Sequence, residues 1–155
     1  MCGIVGLFLK EAALEPELGT LTAGMLATMC ERGPDSAGFA VYGASKDGTC
    51  KITLQSADPT RDFAGLAKAV EREIDGSVTI DVRDTHAVLT CRASEVDAVR
   101  GAVRRLVPSI RIMGVGDAIE IYKEVGYPTK VAERFDLKGM KGTHAIGHTR
   151  MATES

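Results

Sequence analysis

The chain has 155 residues, 45% of them hydrophobic and 26% charged, and its formal net charge is -2. This length predicts one ordinary domain, with a single insertion as the first interpretation, and argues against two independent domains. The apolar runs, such as residues 4–9, are too short to span a bilayer, and the 19 basic and 21 acidic residues are too well mixed to predict a nucleic-acid surface. The start lacks the basic region of a secretory signal, so a cytoplasmic protein is expected.

The first third predicts a strand, a helix and two more strands. Residues 2–9 are mostly apolar and indicate a buried strand. Apolar residues recur at helical spacing over 18–29, and a Gly-Pro-Asp breaker closes that segment. Residues 37–42 predict a second strand paired to the first, and residues 51–54 a third.

The middle of the chain predicts an inserted α+β unit. Apolar residues recur at helical spacing over residues 62–74 and 94–106. Strand patterns cover residues 78–82, 86–91, 110–115 and 118–122. Taken from Cys50, the order is β-α-β-β-α-β, the ferredoxin-like split arrangement. We therefore predict an insertion over residues 56–125, with its ends close together, in a host domain formed by residues 1–55 and 126–155. A short helix over 128–135 and a strand over 145–149 complete the host.

The four cysteines show neither a CxxC pair nor metal-ligand spacing with the histidines, so reduced thiols and no metal site are expected. Cys30, Cys50 and Cys91 stand in apolar sequence and are predicted to be core residues. Cys2 by itself fits a packed small residue, a lipidation site or a nucleophile. Removal of Met1 would leave a thiol and a free α-amine on one residue. An α-amine with a reference pKa of about 8 can accept the thiol proton near neutral pH.

Three motif blocks carry a family resemblance. They are Met1-Cys-Gly-Ile-Val-Gly at the start, Glu31-Arg-Gly-Pro-Asp-Ser-Ala-Gly in the first third, and Gly147-His-Thr-Arg-Met-Ala-Thr at the end. Together, and in this order, they resemble the class II glutamine amidotransferases. That family belongs to the N-terminal nucleophile hydrolases, so the resemblance implies a four-layered αββα sandwich.

The resemblance implies hydrolysis of glutamine to glutamate and ammonia through a γ-glutamyl thioester on Cys2. Arg150 would bind the α-carboxylate of glutamine, a role that suits the two parallel donors of a guanidinium. Thr153 matches a position that contacts substrate in the family. No cofactor is expected in this chain.

The roles of three further residues stay open between function and structure. Arg32 or Asp35 would order the pocket floor, but Gly-Pro-Asp is also an ordinary turn. His148 is interpreted as a structural histidine in preference to a general base, because the α-amine already supplies the base.

Two departures from the family pattern bear on activity. The family's oxyanion hole uses an Asn-Gly pair that follows the third block, and this chain contains no Asn. Because losing one oxyanion donor costs on the order of 100- to 1000-fold in rate, the chain alone is expected to be a poor glutaminase. We therefore expect a fragment, or a split subunit completed by another chain. Met151 and Glu154 also stand where relatives have Trp and His.

Within the family, the insertion and the final segment resemble the stand-alone glutaminase subunits of glutamate-synthase-like systems, in particular N-methylglutamate synthase. A partner synthase subunit would then hold flavin and accept the ammonia. One alternative is a catalytically silent regulatory or assembly module, which the lack of Asn favours. Another is an N-terminal nucleophile hydrolase acting on a different amide, which the Arg32-Gly-Pro-Asp-Ser-Ala-Gly block argues against.

Overall fold

The computed structural model describes residues 2–149 and has a mixed α+β fold in two compact units. One unit contains both ends of the described chain, up to Ala44 and from Ile121 onward, and the other comprises Ser45–Glu120. The elements in chain order are β1 (Gly3–Phe8), α1 (Leu18–Thr28), β2 (Ser36–Tyr42), β3 (Thr49–Gln55), α2 (Pro59–Asp62), α3 (Leu66–Ile74), β4 (Thr79–Arg83), β5 (His86–Arg92), α4 (Val96–Leu106), β6 (Arg111–Gly116), β7 (Ile119–Val125), α5 (Pro128–Arg134) and β8 (His144–Thr149). The mixed α+β class is confirmed, whereas the αββα sandwich stays a prediction.

The first unit holds a four-stranded sheet in the order β1-β8-β2-β7. β8 pairs antiparallel with β1 on one side and with β2 on the other, so that Thr149 lies opposite both Gly3 and Ala37. The predicted direct pairing of the first two strands is therefore wrong. The last strand of the described chain lies between them, and periodicity along the sequence does not report such a long-range partner.

The two faces of this sheet differ in exposure. α1 packs against β1 and β8, and α5 packs against β2, so the face carrying Val5 and Phe39 is buried. Because side chains alternate along a strand, the neighbouring residues point to the opposite face. There Ile4 is 74% exposed, Phe8 66% and Ile146 50%. The sheet thus has helices on one face and an exposed apolar surface on the other.

The second unit holds the sheet β4-β5-β3-β6. β3 is antiparallel to β5 and to β6, and β4 is antiparallel to β5. Hence β3 and β4 are parallel with β5 between them, which is the split βαβ arrangement predicted from the element order. Its core is formed by residues from the sheet and from α3 and α4, including Ile52, Leu54, Val70, Leu89, Val99 and Val103.

The boundaries of this unit differ from the predicted limits of 56 and 125. β3 belongs to the second unit because it pairs with both β5 and β6. β7 contributes to the first sheet because it lies beside β2. Residues 62–74, predicted as one helix, are divided between α2 and α3, since Gly65 has a left-handed φ of 68° between them.

A buried carboxylate joins three segments of the second unit. Asp62, at the end of α2, is 5% exposed and accepts hydrogen bonds from the hydroxyls of Ser56 at 2.6 Å and Ser109 at 3.1 Å. It also accepts a hydrogen bond from Nε of Arg61 at 2.8 Å. The hydrogen bond from Arg61, followed by that from Ser56, lowers the pKa of Asp62 to about 2. The charged form of Asp62 therefore stabilises the folded unit.

This carboxylate predicts an acid-sensitive contribution to stability. The folded pKa of Asp62 lies below its ordinary value of 3.8, so the contribution is complete above that pH and disappears as the pH falls towards about 2. We expect Asp62→Asn to unfold at lower urea than the wild type at neutral pH, with the difference shrinking across this window. Asp97→Asn is the control, because that exposed carboxylate pairs only at the surface with Arg100. A difference that persists unchanged at the acid end would contradict this role.

Candidate functional site

Cys2 lies at the end of the first sheet where the described parts of the three motif blocks meet. It is an exposed free thiol immediately before β1. Gly3, the next residue, lies opposite Thr149 at the end of β8, and Ala37 at the start of β2 lies on the other side of Thr149. Strand pairing thus places the start of the chain beside the end of the Gly-His-Thr segment and beside the residue that follows Asp35-Ser36.

The hydroxyl of Thr149 connects segments that carry all three blocks. Oγ1 accepts a hydrogen bond from the backbone N–H of Gly3 at 3.2 Å and donates one to the backbone carbonyl of Met29 at 3.4 Å. Thr149 is completely buried. Met29 follows α1 and directly precedes the turn Cys30–Arg32. We refer to these two hydrogen bonds as the Thr149 bridge.

The approach of Thr149 requires glycine at position 3. A Cβ atom built on Gly3 would lie 2.9 Å from Oγ1 of Thr149 and 3.1 Å from Cβ of Met29. Sequence reasoning missed Thr149, although it lies inside the third block. Its only sequence signal was that position between His148 and Arg150, because its partners Gly3 and Met29 are distant along the chain.

The loop that carries Arg32 and Asp35 is held by its backbone. The N–H of Arg32 donates to the Met29 carbonyl at 3.0 Å, and the N–H of Gly126 donates to the Asp35 carbonyl at 2.8 Å. The side chains of Arg32 and Asp35 are exposed. The structure therefore supplies a turn at this position, and the pocket-ordering role of either side chain stays a prediction.

The four cysteines differ in exposure, and therefore in how readily their thiols can react. Cys30, Cys50 and Cys91 are buried, as expected for core residues, whereas Cys2 is exposed. Burial raises the pKa of the Cys91 thiol to about 11, which disfavours its thiolate. Cys30 approaches the Leu26 carbonyl at 3.7 Å, and its hydrogen bond with the Tyr127 hydroxyl raises the pKa of Tyr127. Of the four thiols, Cys2 is thus the one that is exposed to solvent.

His148 lies on the exposed face of the sheet, opposite Ile4 of β1 and Gly38 of β2. It is half-buried, and a Cβ atom on Gly38 would lie 2.7 Å from its Nε2 atom. Gly38 therefore makes room for the imidazole. Because adjacent strand residues point to opposite faces, His148 and the Thr149 bridge lie on different sides of β8. This packing is compatible with the structural interpretation of His148, which stays a prediction.

Two predicted site residues, Arg150 and Thr153, lie outside the described residues, so their roles in binding substrate stay predictions. Within residues 2–149, no group of three or more His, Cys, Asp or Glu side chains is arranged to hold a metal ion. Over the same part of the chain, no helix combines the length and apolar character needed to cross a membrane.

Comparison with known proteins shows similarity over the whole chain. No family model matches. The chain is 53% identical over 155 residues to the "Glutamine amidotransferase-like protein GlxB" of Rhizobium meliloti (strain 1021), and the match covers all of this chain and 51% of that protein. It is 30% identical over 163 residues to the "Putative glutamine amidotransferase" of Methanothermobacter thermautotrophicus, covering all of this chain and 53% of that protein.

The chain thus spans about half the length of the curated relatives it matches. Both relatives are named as glutamine amidotransferases or as similar to them. Their names support the resemblance of the three motif blocks to glutamine amidotransferases in general. The finer assignment to class II and to the N-terminal nucleophile hydrolases stays a prediction.

Proposed function

We propose that this chain provides the nucleophile and the glutamine-binding residues of a class II glutamine amidotransferase. The main observation behind the proposal is that Gly3, Ala37 and Thr149, one residue from each motif block, lie side by side at one end of the first sheet. There Thr149 lies opposite Gly3 and is hydrogen-bonded to it and to Met29. The names of the two relatives support the same activity.

Cys2 is the proposed nucleophile once Met1 has been removed. Its α-amine takes the thiol proton, and the thiolate attacks the side-chain amide carbon of glutamine. The resulting ammonium returns a proton to the leaving nitrogen, which departs as ammonia and leaves a γ-glutamyl thioester. Water then hydrolyses the thioester, giving glutamate and restoring the thiol. The exposed position of Cys2 before β1 allows substrate to approach.

Arg150 and Thr153 are the proposed substrate-binding residues, with the Arg150 guanidinium pairing with the glutamine α-carboxylate. Arg150 follows Thr149 in the sequence, and Thr149 lies at the Cys2 end of the sheet. The oxyanion donors would come from a segment outside this sequence, in the same or another polypeptide, because the chain contains no Asn. In each matched relative, the part outside the region of similarity has about as many residues as the part inside it.

The exposed apolar face of the first sheet suits the proposed αββα fold. In such a sandwich, each sheet has helices on one face and a second sheet on the other. The first sheet has α1 and α5 on one face, and its other face exposes Ile4, Phe8 and Ile146. Contiguous exposed apolar surface of this kind is a feature of faces that become covered by another layer.

The ammonia acceptor we propose is a synthase subunit of the glutamate or N-methylglutamate type, which would hold any flavin that the reaction requires. This assignment depends on the inserted β-α-β-β-α-β unit and on the amino-acid sequence of the final motif block. The acceptor can be tested by asking which synthase subunit co-purifies with the chain and raises its glutamine turnover.

Labelling with a reactive glutamine analogue tests the proposed nucleophile. A diazoketone analogue of glutamine should attach to Cys2 of the mature protein, as located by peptide mass spectrometry, and excess glutamine should protect that residue. Cys30, Cys50 and Cys91 serve as internal controls because they are buried. Labelling that avoids Cys2, or that glutamine does not slow, would refute the proposed function.

The second candidate is a catalytically silent regulatory or assembly module. The two candidates differ in what they require of the N-terminus. The mass of the intact protein reports whether Met1 is removed, and retention of Met1 would block the α-amine and favour the silent module.

A further inference from the structure

We propose that Thr149 is a positioning residue for Cys2 and acts through the backbone of Gly3. The proposal rests on the proposed function of Cys2 as the nucleophile. It concerns a residue for which the sequence motifs suggested no role and which the structure places at the centre of the three blocks.

The peptide bond between Cys2 and Gly3 links the position of Cys2 to that of the Gly3 N–H. The six atoms of a peptide unit are close to planar, so the Cα atom of Cys2 lies in the same plane as the N–H of Gly3. That N–H is bonded to Oγ1 of Thr149 at 3.2 Å. The thiol-bearing Cβ atom and the α-amine are both attached to the Cα atom of Cys2. One hydrogen bond therefore restricts the Cα atom that carries both the nucleophile and its base.

The Thr149 side chain is itself held in place, which makes it a suitable anchor. It is completely buried, and its β-branched side chain has restricted rotation about χ1. Its hydroxyl proton is directed at the Met29 carbonyl at 3.4 Å, which leaves the oxygen lone pairs for the Gly3 N–H. Because the contact with the Gly3 N–H is buried, exclusion of water strengthens that hydrogen bond relative to the same contact at the surface.

Cys2 depends on Gly3 for this restraint because regular strand pairing starts at Gly3, which is the first residue of β1 and the partner of Thr149. The absence of a Cβ atom at position 3 permits the close approach of Oγ1. Met29, at the other end of the bridge, also accepts the N–H of Arg32. The bridge thus fixes Cys2 relative to the loop that precedes β2.

The test compares three variants of the full chain with the wild type. Thr149→Val keeps the shape and removes the hydroxyl, whereas Thr149→Ser keeps the hydroxyl. Since misplacing reacting groups by about 1 Å costs on the order of 100-fold in rate, we expect Thr149→Val to slow labelling of Cys2 by the diazoketone glutamine analogue at least about 10-fold. Thr149→Ser should stay within about 3-fold of the wild type, because a hydroxyl still meets the Gly3 N–H.

The third variant, Thr22→Val, is the matched control. Thr22 is a buried threonine of the same unit, and its hydroxyl donates to the Leu18 carbonyl at 2.7 Å within α1. The Thr22→Val variant should leave the rate of Cys2 labelling by the glutamine analogue unchanged. Alkylation of Cys2 by iodoacetamide, which needs no bound geometry, should change little in any variant. Hydrogen exchange of the Gly3 amide should become faster in Thr149→Val alone.

The outcomes separate the two proposals. If the wild type does not take the glutamine analogue at Cys2, the proposed function fails and the positioning role fails with it. If the wild type is labelled but Thr149→Val is labelled equally fast, only the positioning role is overturned. A loss in Thr149→Val that Thr149→Ser does not rescue, or that iodoacetamide alkylation shows in equal measure, also overturns it.

Discussion

Replacement of Cys2 by alanine is expected to abolish glutamine hydrolysis while leaving the fold intact. Removing a catalytic nucleophile costs several orders of magnitude in turnover, and we expect a loss of roughly 10000-fold or more. Cys2 is exposed and precedes β1, so losing its sulfur empties no core position and should change the free energy of unfolding by less than about 0.5 kcal/mol. Ammonia release from glutamine, measured on the mature protein with its partner subunit, is the readout.

Cys91→Ala is the matched control for this experiment. Cys91 lies in the core of the second unit, so its replacement removes a buried sulfur and destabilises that core by about 1 kcal/mol. Turnover per folded molecule should nevertheless be retained, because the Cys2 thiol is untouched. Activity that survives in Cys2→Ala would rule out Cys2 as the nucleophile, and an equal loss of turnover per folded molecule in Cys91→Ala would contradict the expected difference between the two thiols.

Arg150→Lys is expected to weaken glutamine binding with little effect on the chemical step. A guanidinium presents two parallel donors to a carboxylate, whereas an ammonium acts as a single point charge. Loss of one hydrogen bond to a charged group costs about 1.5–3 kcal/mol, which corresponds to a rise of about 10- to 100-fold in KM for glutamine. We expect kcat to change by less than about 3-fold, since this contact is made equally in the ground and transition states.

Steady-state kinetics with glutamine measure both parameters in one experiment. Arg104→Lys is the control, because Arg104 is an exposed residue of α4 in the second unit. An unaltered KM in Arg150→Lys would remove this residue from the substrate site. A fall in kcat at constant KM would assign it to the reaction itself.

Local patterns in the sequence predicted most of the individual elements. The apolar spacing over 18–29 corresponds to α1, and the pattern over 145–149 corresponds to β8. The β-α-β-β-α-β order of the second unit was predicted in the same way and is present in the structure. Such patterns are reliable where a single face of one element is buried, because the period of the apolar residues then reports that face directly.

Strand partners could not be predicted in this way. β3 and β2 lie close together in the sequence, yet β3 pairs in the second sheet with β5 and β6. β8 lies between β1 and β2 although it comes from the far end of the described chain. Periodicity gives the buried face of a strand but does not identify the neighbouring strands in the sheet.

The residue types in the motif blocks indicate nucleophilic chemistry without reference to the fold. Cys2, Arg32 and Arg150 each stand in a motif block, and a thiol beside a future α-amine suits nucleophilic catalysis whatever the fold. The contact of Thr149 with the segments bearing these blocks depends on strand pairing, since the Gly3 N–H and the Thr149 hydroxyl are 146 positions apart along the chain. The reason is physical. Residue types limit what a group can do, whereas a hydrogen bond between distant residues exists only after strand pairing has brought them together.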